Sequence, residues 1–201
     1  MERKHDAWLV DLDGTLYRAP AVKLAMAGEL AIGGWSALPV LRRFRSEHER
    51  LRHTQDAPAE NPFRLQLERT AAALHEDPDR VAQYVREWMF ERPGKWLWRF
   101  RRADLLLELA RFRAAGGRLA VVSDYPARAK LRALRCAELF DVVIANGETG
   151  GPPWLKPHPA GLLRASAELA VPPERCLVLG DRADADGQAA RRAGMAFRRI
   201  G

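Results

Sequence analysis

The stretch Trp8–Leu16 reads Trp-Leu-Val-Asp-Leu-Asp-Gly-Thr-Leu, a short apolar run that ends in two carboxylates one residue apart. Such a run predicts a buried strand whose carboxyl end carries Asp11 and Asp13, and Gly14 lets the chain turn there. Residues two apart on a strand point to the same side, so both carboxylates are expected to face one site. Two carboxylates at such a short distance repel each other unless a cation lies between them or one of them keeps its proton. The alternative is a solvated Asp-Gly turn after an edge strand, and the rest of the chain decides between the two.

The composition is that of a globular protein. The chain has 201 residues, of which 47% are hydrophobic and 29% charged, enough for one domain or for a core domain with a smaller insertion. No apolar run approaches the roughly 20 residues that span a bilayer, so no membrane segment is predicted. Residues 1–6 carry no apolar signal segment, which predicts a cytoplasmic protein. Cys136 and Cys176 lack metal-ligand spacing and are expected to be small core residues.

The formal net charge is +7, and most of it lies in one region of the chain. Residues 18–102 carry sixteen Arg and Lys against eleven Asp and Glu, a net of +5. This balance favours anionic partners, either phosphorylated metabolites or nucleic acid. Residues 95–102 interleave basic and aromatic side chains, which makes a single-stranded nucleic acid a possible partner. The favoured interpretation is a helix whose Trp and Phe rings pack inward while its Arg side chains stay in water, so nucleic acid is not the favoured partner.

Two patterns follow each other along the chain. From about residue 20 to residue 102 the apolar residues have helical spacing, which predicts helices over 20–32 and 36–52, a loop over 54–62, a helix from 63 and another from 77 that ends at 92–94. From residue 103 apolar strands alternate with helices. The predicted strands are 119–122, 142–145, 176–179 and 195–200, and the predicted helices are 104–115, 127–134, 160–169 and 188–193. This alternation predicts an α/β fold with a Rossmann-like parallel sheet, helices on both faces and an inserted helical segment.

Several of the predicted strands end in polar groups. Asp11 and Asp13 follow the first strand, Ser123 the second and Asp181 the fourth. Because ligands of parallel sheets bind beyond the carboxyl ends of the strands, these groups are expected to converge on one site. Lys156 lies in a loop that is expected to reach the same place. The convergence favours a functional site over a solvated turn.

In these segments the chain resembles the haloacid dehalogenase (HAD) superfamily of phosphohydrolases. The resemblance rests on four segments in the right order, Asp11–Thr15, Val122–Asp124, Lys156–Pro157 and Gly180–Asp186. The helical segment looks like the cap that one branch of the family, which includes phosphatases, inserts between the first and second of these. The resemblance therefore implies an HAD-like α/β core over residues 1–17 and 103–201, and a helical cap over residues 18–102.

The resemblance also implies roles for the acidic residues. Asp11 would attack phosphorus and form an aspartyl-phosphate, while Asp13 would protonate the leaving alcohol and later take a proton from water. Mg²⁺ would be held by the Asp11 carboxylate, the Asp13 main-chain carbonyl and Asp181. Asp186 has the family's spacing for an outer metal or water ligand.

Asp184 remains an alternative to Asp186 at the metal. It is as well placed in the sequence to fix Lys156 or Arg182 as to touch the metal. The sequence does not separate these two arrangements.

The same resemblance implies a set of phosphate-binding groups. Ser123 would hydrogen-bond a phosphoryl oxygen, with main-chain donors from Asp124 and Gly14, and Thr15 belongs to the same substrate-binding set. Lys156 would be the third catalytic residue, bridging the nucleophile and the phosphate and neutralising developing charge.

The implied function is a Mg²⁺-dependent phosphatase that acts on a small phosphorylated metabolite through an aspartyl-phosphate. Dehalogenases that attack carbon lack the second aspartate of the first segment, so Asp13 favours phosphoester chemistry. Phosphomutase activity remains an alternative, and phosphonate cleavage would require a cap lysine such as Lys23. An alternative from another class is a protein of the same fold whose basic cap binds nucleic acid or a protein partner.

Overall fold

Five parallel strands form one sheet in the computed structural model, which describes residues 4–54 and 57–201. In chain order the strands are β1 (Ala7–Val10), β2 (Arg118–Ser123), β3 (Val142–Ala145), β4 (Cys176–Gly180) and β5 (Ala196–Arg199). They lie in the order β3-β2-β1-β4-β5, so the strand that precedes Asp11 is central. The predicted parallel sheet is confirmed.

Helices cover the sheet and fill the long connection between its first two strands. Before β2 they are α1 (Ala19–Gly33), α2 (Leu38–Thr54), α3 (Pro62–Leu74), α4 (Pro78–Val85), α5 (Gly94–Arg99) and α6 (Ala103–Ala114). After β2 they are α7 (Arg128–Ala133), α8 (Ala160–Glu168) and α9 (Gln188–Arg192). One π-helical turn, Arg86–Glu91, continues α4, and another, Ala183–Gly187, precedes α9. The predicted loop over 54–62 includes residues 55 and 56, and the predicted signal-free start includes residues 1–3, all of which lie outside the described residues.

Two of the helix starts have a clear local cause. α3 and α4 both begin at a proline, which is tolerated in the first turn because its missing N–H would have no helical partner. The residue before each proline caps the helix. The Asn61 side chain accepts a hydrogen bond from the Arg64 amide at 3.0 Å, and the Asp77 side chain accepts one from the Asp79 amide at 2.7 Å.

The central strand is buried on both faces, because alternate side chains enter two different apolar clusters. Leu9 belongs to the cluster that α8 and α9 cover, whereas Val10 belongs to the cluster that contains residues of α1, α5 and α6. Both side chains are fully buried. A central strand held this way delivers the residues that follow it to a fixed position.

The inserted helices are partly joined to the core of the sheet. Val22 and Met26 of α1 pack in the same cluster as Val10, whereas α2, α3 and α4 share a smaller cluster that includes Phe44 and Val81. The chain leaves the core and returns to it at one point, where Tyr17 and Arg101 pair as an antiparallel bridge. Main-chain hydrogen bonds of 2.9 Å on either side reinforce this crossing.

The aromatic rings of the basic and aromatic segment 95–102 contact other side chains of the protein. Trp96 packs against the main core and donates its indole N–H to Glu29 at 2.6 Å, and Leu97 is buried. The Trp98 ring is covered by the guanidinium groups of Arg101 and Arg135, at 3.4 and 4.5 Å from its centroid. The Trp96 contacts fit the inward-packing interpretation, whereas Trp98 is 36% exposed and lies at the surface under two arginine side chains.

Cys136 and Cys176 are free and buried, as expected for core residues. Across the described ranges, we find no single helix that is long and apolar enough to cross a membrane. The pair Ala19–Gly33 and Trp35–Thr54 passes that test together by length and composition only, and the two helices meet at a 115° bend.

Candidate active site

The carboxyl ends of β1, β2 and β4 open onto one cavity of about 450 Å³. Asp11 and Asp13 reach it from β1, Ser123 and Asp124 from β2, and Asp181 from β4. Parallel strands end at the same edge of a sheet, which is why groups so far apart in the chain meet here.

Lys156 links two of the carboxylates. Its Nζ atom lies 2.6 Å from Asp11 Oδ1 and 2.7 Å from Asp186 Oδ1, and it also donates to the Val122 carbonyl at 3.2 Å. Burial by itself would lower the pKa of Lys156, but the charges of Asp11 and Asp186 hold it well above its ordinary value. Burial is the main reason that the pKa of Asp11 is raised; the Lys156 ammonium opposes that shift and Asp186 adds to it.

A third carboxylate completes an all-oxygen cluster. Oxygens of Asp11, Asp181 and Asp186 all lie within 4.8 Å of one another. Burial and the neighbouring charge of Asp186 raise the pKa of Asp181. When all three carboxylates are ionised and Lys156 is charged, this end of the cavity holds an excess of two negative charges, which a divalent cation would neutralise.

Gly14 makes room for this cluster. Its φ of +99° lies in the left-handed region, and a Cβ atom at this position would come within 2.2 Å of Asp181 Oδ2. A side chain there would therefore be strained and would displace the carboxylate. Gly14 and Thr15 do not line the cavity themselves; the buried Thr15 hydroxyl donates to Asp11 Oδ2 at 2.9 Å.

Asp13 is held by groups that the sequence analysis missed. Lys130 Nζ lies 2.6 and 2.8 Å from its two carboxylate oxygens, and the Tyr17 hydroxyl donates to it at 2.5 Å. Burial would raise the pKa of Asp13, but Lys130 and Tyr17 together lower it. The two aspartates of the first segment are thus paired with different lysines, Asp11 with Lys156 and Asp13 with Lys130.

A signal for Lys130 was present in the composition. Only five of the 33 basic residues are lysines, so a lysine is unusual in this arginine-dominated chain. A compact ammonium suits a single buried carboxylate, whereas the planar guanidinium suits exposed or forked contacts. The sequence alone does not show that the face of α7 that carries Lys130 packs towards the residues after β1.

The groups proposed for phosphate binding lie beside this pair of ion pairs. Ser123 is buried, and its Oγ accepts a hydrogen bond from the Tyr125 amide at 3.2 Å. The Asp124 carboxylate accepts from the Lys156 amide at 3.0 Å and so fixes the lysine loop. His48 of α2 stacks on Tyr125 and brings its Nε2 within 3.8 Å of Asp124.

The structure separates the two acids that the sequence left open. Asp186 is buried and lies in the carboxylate cluster, whereas Asp184 is largely exposed and pairs with Arg182 at 2.8 Å. Hydrogen bonds to Arg182 lower the pKa of Asp184 to about 2. Arg182 also reaches Glu49 of α2 at 2.8 Å, so this arginine ties an inserted helix to the core.

Arg52 also joins an inserted helix to the core. Its Nε donates to the Lys156 main-chain carbonyl at 2.8 Å, and its guanidinium pairs with Glu49 of the same helix at 2.7 Å. The inserted helices thereby contact the loop that carries the lysine of the site. Side chains of α1, α2, α5 and the π-helical turn Arg86–Glu91 close the rest of the cavity.

Solved structures share this architecture at low sequence identity. A predicted phosphoglycolate phosphatase from Haemophilus somnus 129pt is 21% identical, with a TM-score of 0.59 over 97% of this chain and 84% of that one. L-2-haloacid dehalogenase from Xanthobacter autotrophicus is 22% identical, with a TM-score of 0.65 over 98% of this chain and 77% of that one. At this identity the likeness concerns the fold alone.

Sequence comparison adds one relative and the family. A phosphoglycolate phosphatase of Nitrosospira multiformis is 40% identical over 85 residues, which are 41% of this chain and 36% of that protein. The matched part thus spans about a third of that relative. The family model described as haloacid dehalogenase-like hydrolase matches residues 5–194, so the chain belongs to the haloacid dehalogenase-like hydrolase family.

Proposed function

We propose that this protein is a Mg²⁺-dependent phosphatase that hydrolyses small phosphomonoesters through an aspartyl-phosphate on Asp11. The observation that carries the proposal is the pairing of two carboxylates in one cavity with two separate lysines. This pairing gives Asp11 and Asp13 different surroundings, as a nucleophile and a proton carrier require.

The residues at the site fit a divalent metal ion. Asp11, Asp181 and Asp186 offer carboxylate oxygens only, the donors that Mg²⁺ prefers, and Gly14 leaves the space that Asp181 occupies. Following the family pattern, the Asp13 main-chain carbonyl is proposed as a further ligand. When bound, Mg²⁺ would offset negative charge on the phosphoryl group and on the carboxylates around it.

In the proposed first step, an Asp11 carboxylate oxygen attacks phosphorus and the bond between phosphorus and the ester oxygen breaks. The leaving oxygen takes a proton from Asp13 and departs as an alcohol. Lys156 stays beside Asp11 and neutralises charge that develops on the phosphoryl oxygens. Ser123 and the main-chain amide of Asp124, which both line the cavity, are proposed to bind those oxygens.

In the second step, water attacks phosphorus and gives its proton to Asp13. The bond between phosphorus and the Asp11 oxygen breaks, which releases inorganic phosphate and restores the carboxylate. Asp13 thus donates a proton in the first step and accepts one in the second. Its contacts with Lys130 and Tyr17 hold its carboxylate in position during both steps.

The second aspartate is the reason to prefer phosphate esters over haloacids. The fold is common to phosphatases and dehalogenases, so it does not choose between them. Attack on carbon releases halide, which needs no proton, whereas an alkoxide leaving group does. Asp13, two residues after Asp11 and lining the same cavity, supports the choice of a phosphate ester.

The inserted helices are proposed to act as a cap over residues 18–102. The crossing at Tyr17 and Arg101 places both connections of this segment at one point, where a cap would pivot. Arg52 and Arg182 join it to the core beside Lys156 and Asp181. A segment placed in this way excludes water from the reacting groups and contacts the leaving group.

The test is release of inorganic phosphate from p-nitrophenyl phosphate with Mg²⁺ present. We expect activity in the wild type and loss of at least about 10³-fold in Asp11→Asn, which removes the nucleophile. Asp104→Asn, which alters an exposed aspartate at the start of α6, is the matched control and is expected to match the wild type. Equal activity in the wild type and Asp11→Asn would contradict the mechanism.

A further inference from the structure

The cavity is lined by more than the groups of its catalytic end. Its charged end holds the carboxylates and lysines described above, whereas its other walls come from the inserted helices. Its volume of about 450 Å³ lies in the range of complete small-molecule sites, so it has room for a ligand well beyond a phosphoryl group.

The walls from the inserted helices are mostly apolar. They are formed by α1, by the start of α2, by the π-helical turn that follows α4 and by α5. The apolar side chains are Val22, Met26, Leu30, Leu38, Leu41, Trp88, Met89 and Leu97. Met26, Leu41 and Trp88 are buried, so these side chains belong to the packed interior.

A close helix contact holds the aromatic part of this wall in place. Gly34, just after α1, lies against the Trp88 ring, where a Cβ atom would come within 2.4 Å of it. Arg92 stacks on the same ring from outside, 4.3 Å from its centroid. The indole is therefore held in place between two elements of the insertion.

The cations around the cavity are mostly committed to the protein's own carboxylates. Lys130 and Lys156 pair with aspartates of the site, and Arg52 and Arg182 pair with Glu49. Within residues 4–54 and 57–201, the two other lysine or arginine residues that line the cavity, Lys23 and Arg45, make no ion pair.

These two cations are solvent-exposed, which places them at the rim of the cavity. They are suited to attracting a phosphate towards the opening. They do not form a buried pocket for a second anionic group.

We propose that the leaving group of the substrate is apolar, so that the enzyme acts on alkyl or aryl phosphomonoesters rather than on phosphorylated acids. This inference rests on the proposed phosphatase function and specifies its substrate class. A carboxylate on the leaving group would lose its hydration against the apolar wall without gaining a buried cation. An alkyl chain or an aromatic ring would instead leave water and contact Met26 and Trp88.

The experiment measures binding separately from catalysis. Ethyl-, butyl- and hexylphosphonate, which are not hydrolysed, are titrated into the protein with Mg²⁺ by calorimetry, together with 5-carboxypentylphosphonate. We expect Kd to fall with chain length, by up to about fourfold per methylene group, the ratio for complete transfer of one methylene out of water. The carboxylate analogue is expected to bind at least about tenfold more weakly than hexylphosphonate.

Two variants of α1 test whether the dependence of Kd on chain length arises at the apolar wall. Met26→Gln places an amide in the apolar wall and is expected to reduce the dependence of Kd on chain length. Leu24→Gln changes a side chain that is 77% exposed and does not line the cavity, so it is expected to leave both Kd values and chain-length dependence unchanged.

The outcomes separate this inference from the phosphatase proposal. A Kd independent of chain length, or tighter binding of the carboxylate analogue, overturns the apolar leaving group even if p-nitrophenyl phosphate is hydrolysed. A chain-length dependence that Met26→Gln abolishes supports the apolar site. If that dependence occurs in a protein that releases no phosphate from any alkyl phosphate, the binding inference stands and the phosphatase proposal fails.

Discussion

Lys130 Nζ lies 2.6 Å from Asp13 Oδ1 and 2.8 Å from Asp13 Oδ2, in an ion pair that joins α7 to the residues after β1. The lysine is almost fully buried, and the aspartate side chain is 27% exposed. Breaking a pair of this kind leaves a carboxylate that is poorly solvated and unpaired. Lys130 thus helps to lower the pKa of the proposed proton carrier and to hold it in position.

Lys130→Met is expected to change the pH dependence of phosphate release. Burial raises the pKa of Asp13, and the Lys130 charge and the Tyr17 hydroxyl overcome that effect, so removal of Lys130 raises the pKa. With p-nitrophenyl phosphate the leaving group needs little protonation, so the rate depends on ionised Asp13, which accepts a proton from water in the second step. A higher pKa delays this ionisation to a higher pH. We therefore expect the acidic limb of the kcat profile to move to higher pH in Lys130→Met, and to move less in Lys130→Arg, which keeps the positive charge. An unmoved limb in Lys130→Met contradicts this role.

Asp13→Asn is expected to trap the phosphoenzyme. With p-nitrophenyl phosphate the leaving group needs little protonation, so attack by Asp11 continues, but water loses its general base in the second step. General-base catalysis contributes about 10²–10⁴-fold, so hydrolysis of the phosphoenzyme should slow by that order. Acid-quenched samples prepared with labelled phosphate ester should contain more protein-bound phosphate than the wild type. Mg²⁺ binding, measured by thermal shift, should change little, which distinguishes lost base catalysis from a lost metal.

Much of the sheet and of its catalytic edge could be predicted from the sequence, because the signals are local. Short apolar runs followed at once by acids or serine indicate strands that end at a polar edge, and β2, β3 and β4 lie within one residue of their predicted bounds. Parallel strands then bring those ends together whatever the order of the strands. This is why Asp11, Ser123 and Asp181 could be grouped before any contact was known.

The contacts made by helices could not be predicted in the same way. Helical periodicity assigns Lys130 and Arg52 to a face, but the partner of that face depends on how distant elements pack. The irregular turn Ala183–Gly187 is a further case, since it decides that Asp186 and not Asp184 joins the cluster. Its geometry comes from hydrogen bonds of three successive amides to the Arg182 carbonyl, for which the sequence has no distinct pattern.

His48 is expected to make the protein less stable in mild acid. Burial lowers the pKa of His48 from its ordinary value of 6.5, and the opposing effect of Asp124 is smaller. Between the two pKa values the unfolded chain binds a proton that the folded protein does not, so stability falls as pH falls below about 6.5. The slope for one proton is up to about 1.4 kcal/mol per pH unit.

His48→Gln is the comparison that isolates this effect. Glutamine keeps a hydrogen-bonding group near Gln66, which lies 3.3 Å from His48 Nδ1, but it does not titrate. Urea unfolding from pH 7.5 to pH 5 should therefore show a smaller loss of the free energy of unfolding in the variant than in the wild type. Parallel curves for the two proteins would show that another group is responsible.

Asp181→Asn is expected to have opposite effects with and without metal. Burial and the charge of Asp186 raise the pKa of Asp181, which means that the negative charge of this carboxylate is unfavourable in the metal-free protein. In EDTA the neutral amide of the variant should therefore raise Tm. With Mg²⁺ the wild type gains about 2.7 kcal/mol at a concentration 100-fold above Kd, or about 5–10 °C in Tm for a chain of this size. The variant should lose most of that gain because one of three carboxylate ligands is gone. Asp184→Asn, which alters an exposed acid beside the cluster, should keep the Mg²⁺ response. A wild-type Tm that does not respond to Mg²⁺, or an Asp181→Asn variant that responds fully, would place the metal elsewhere.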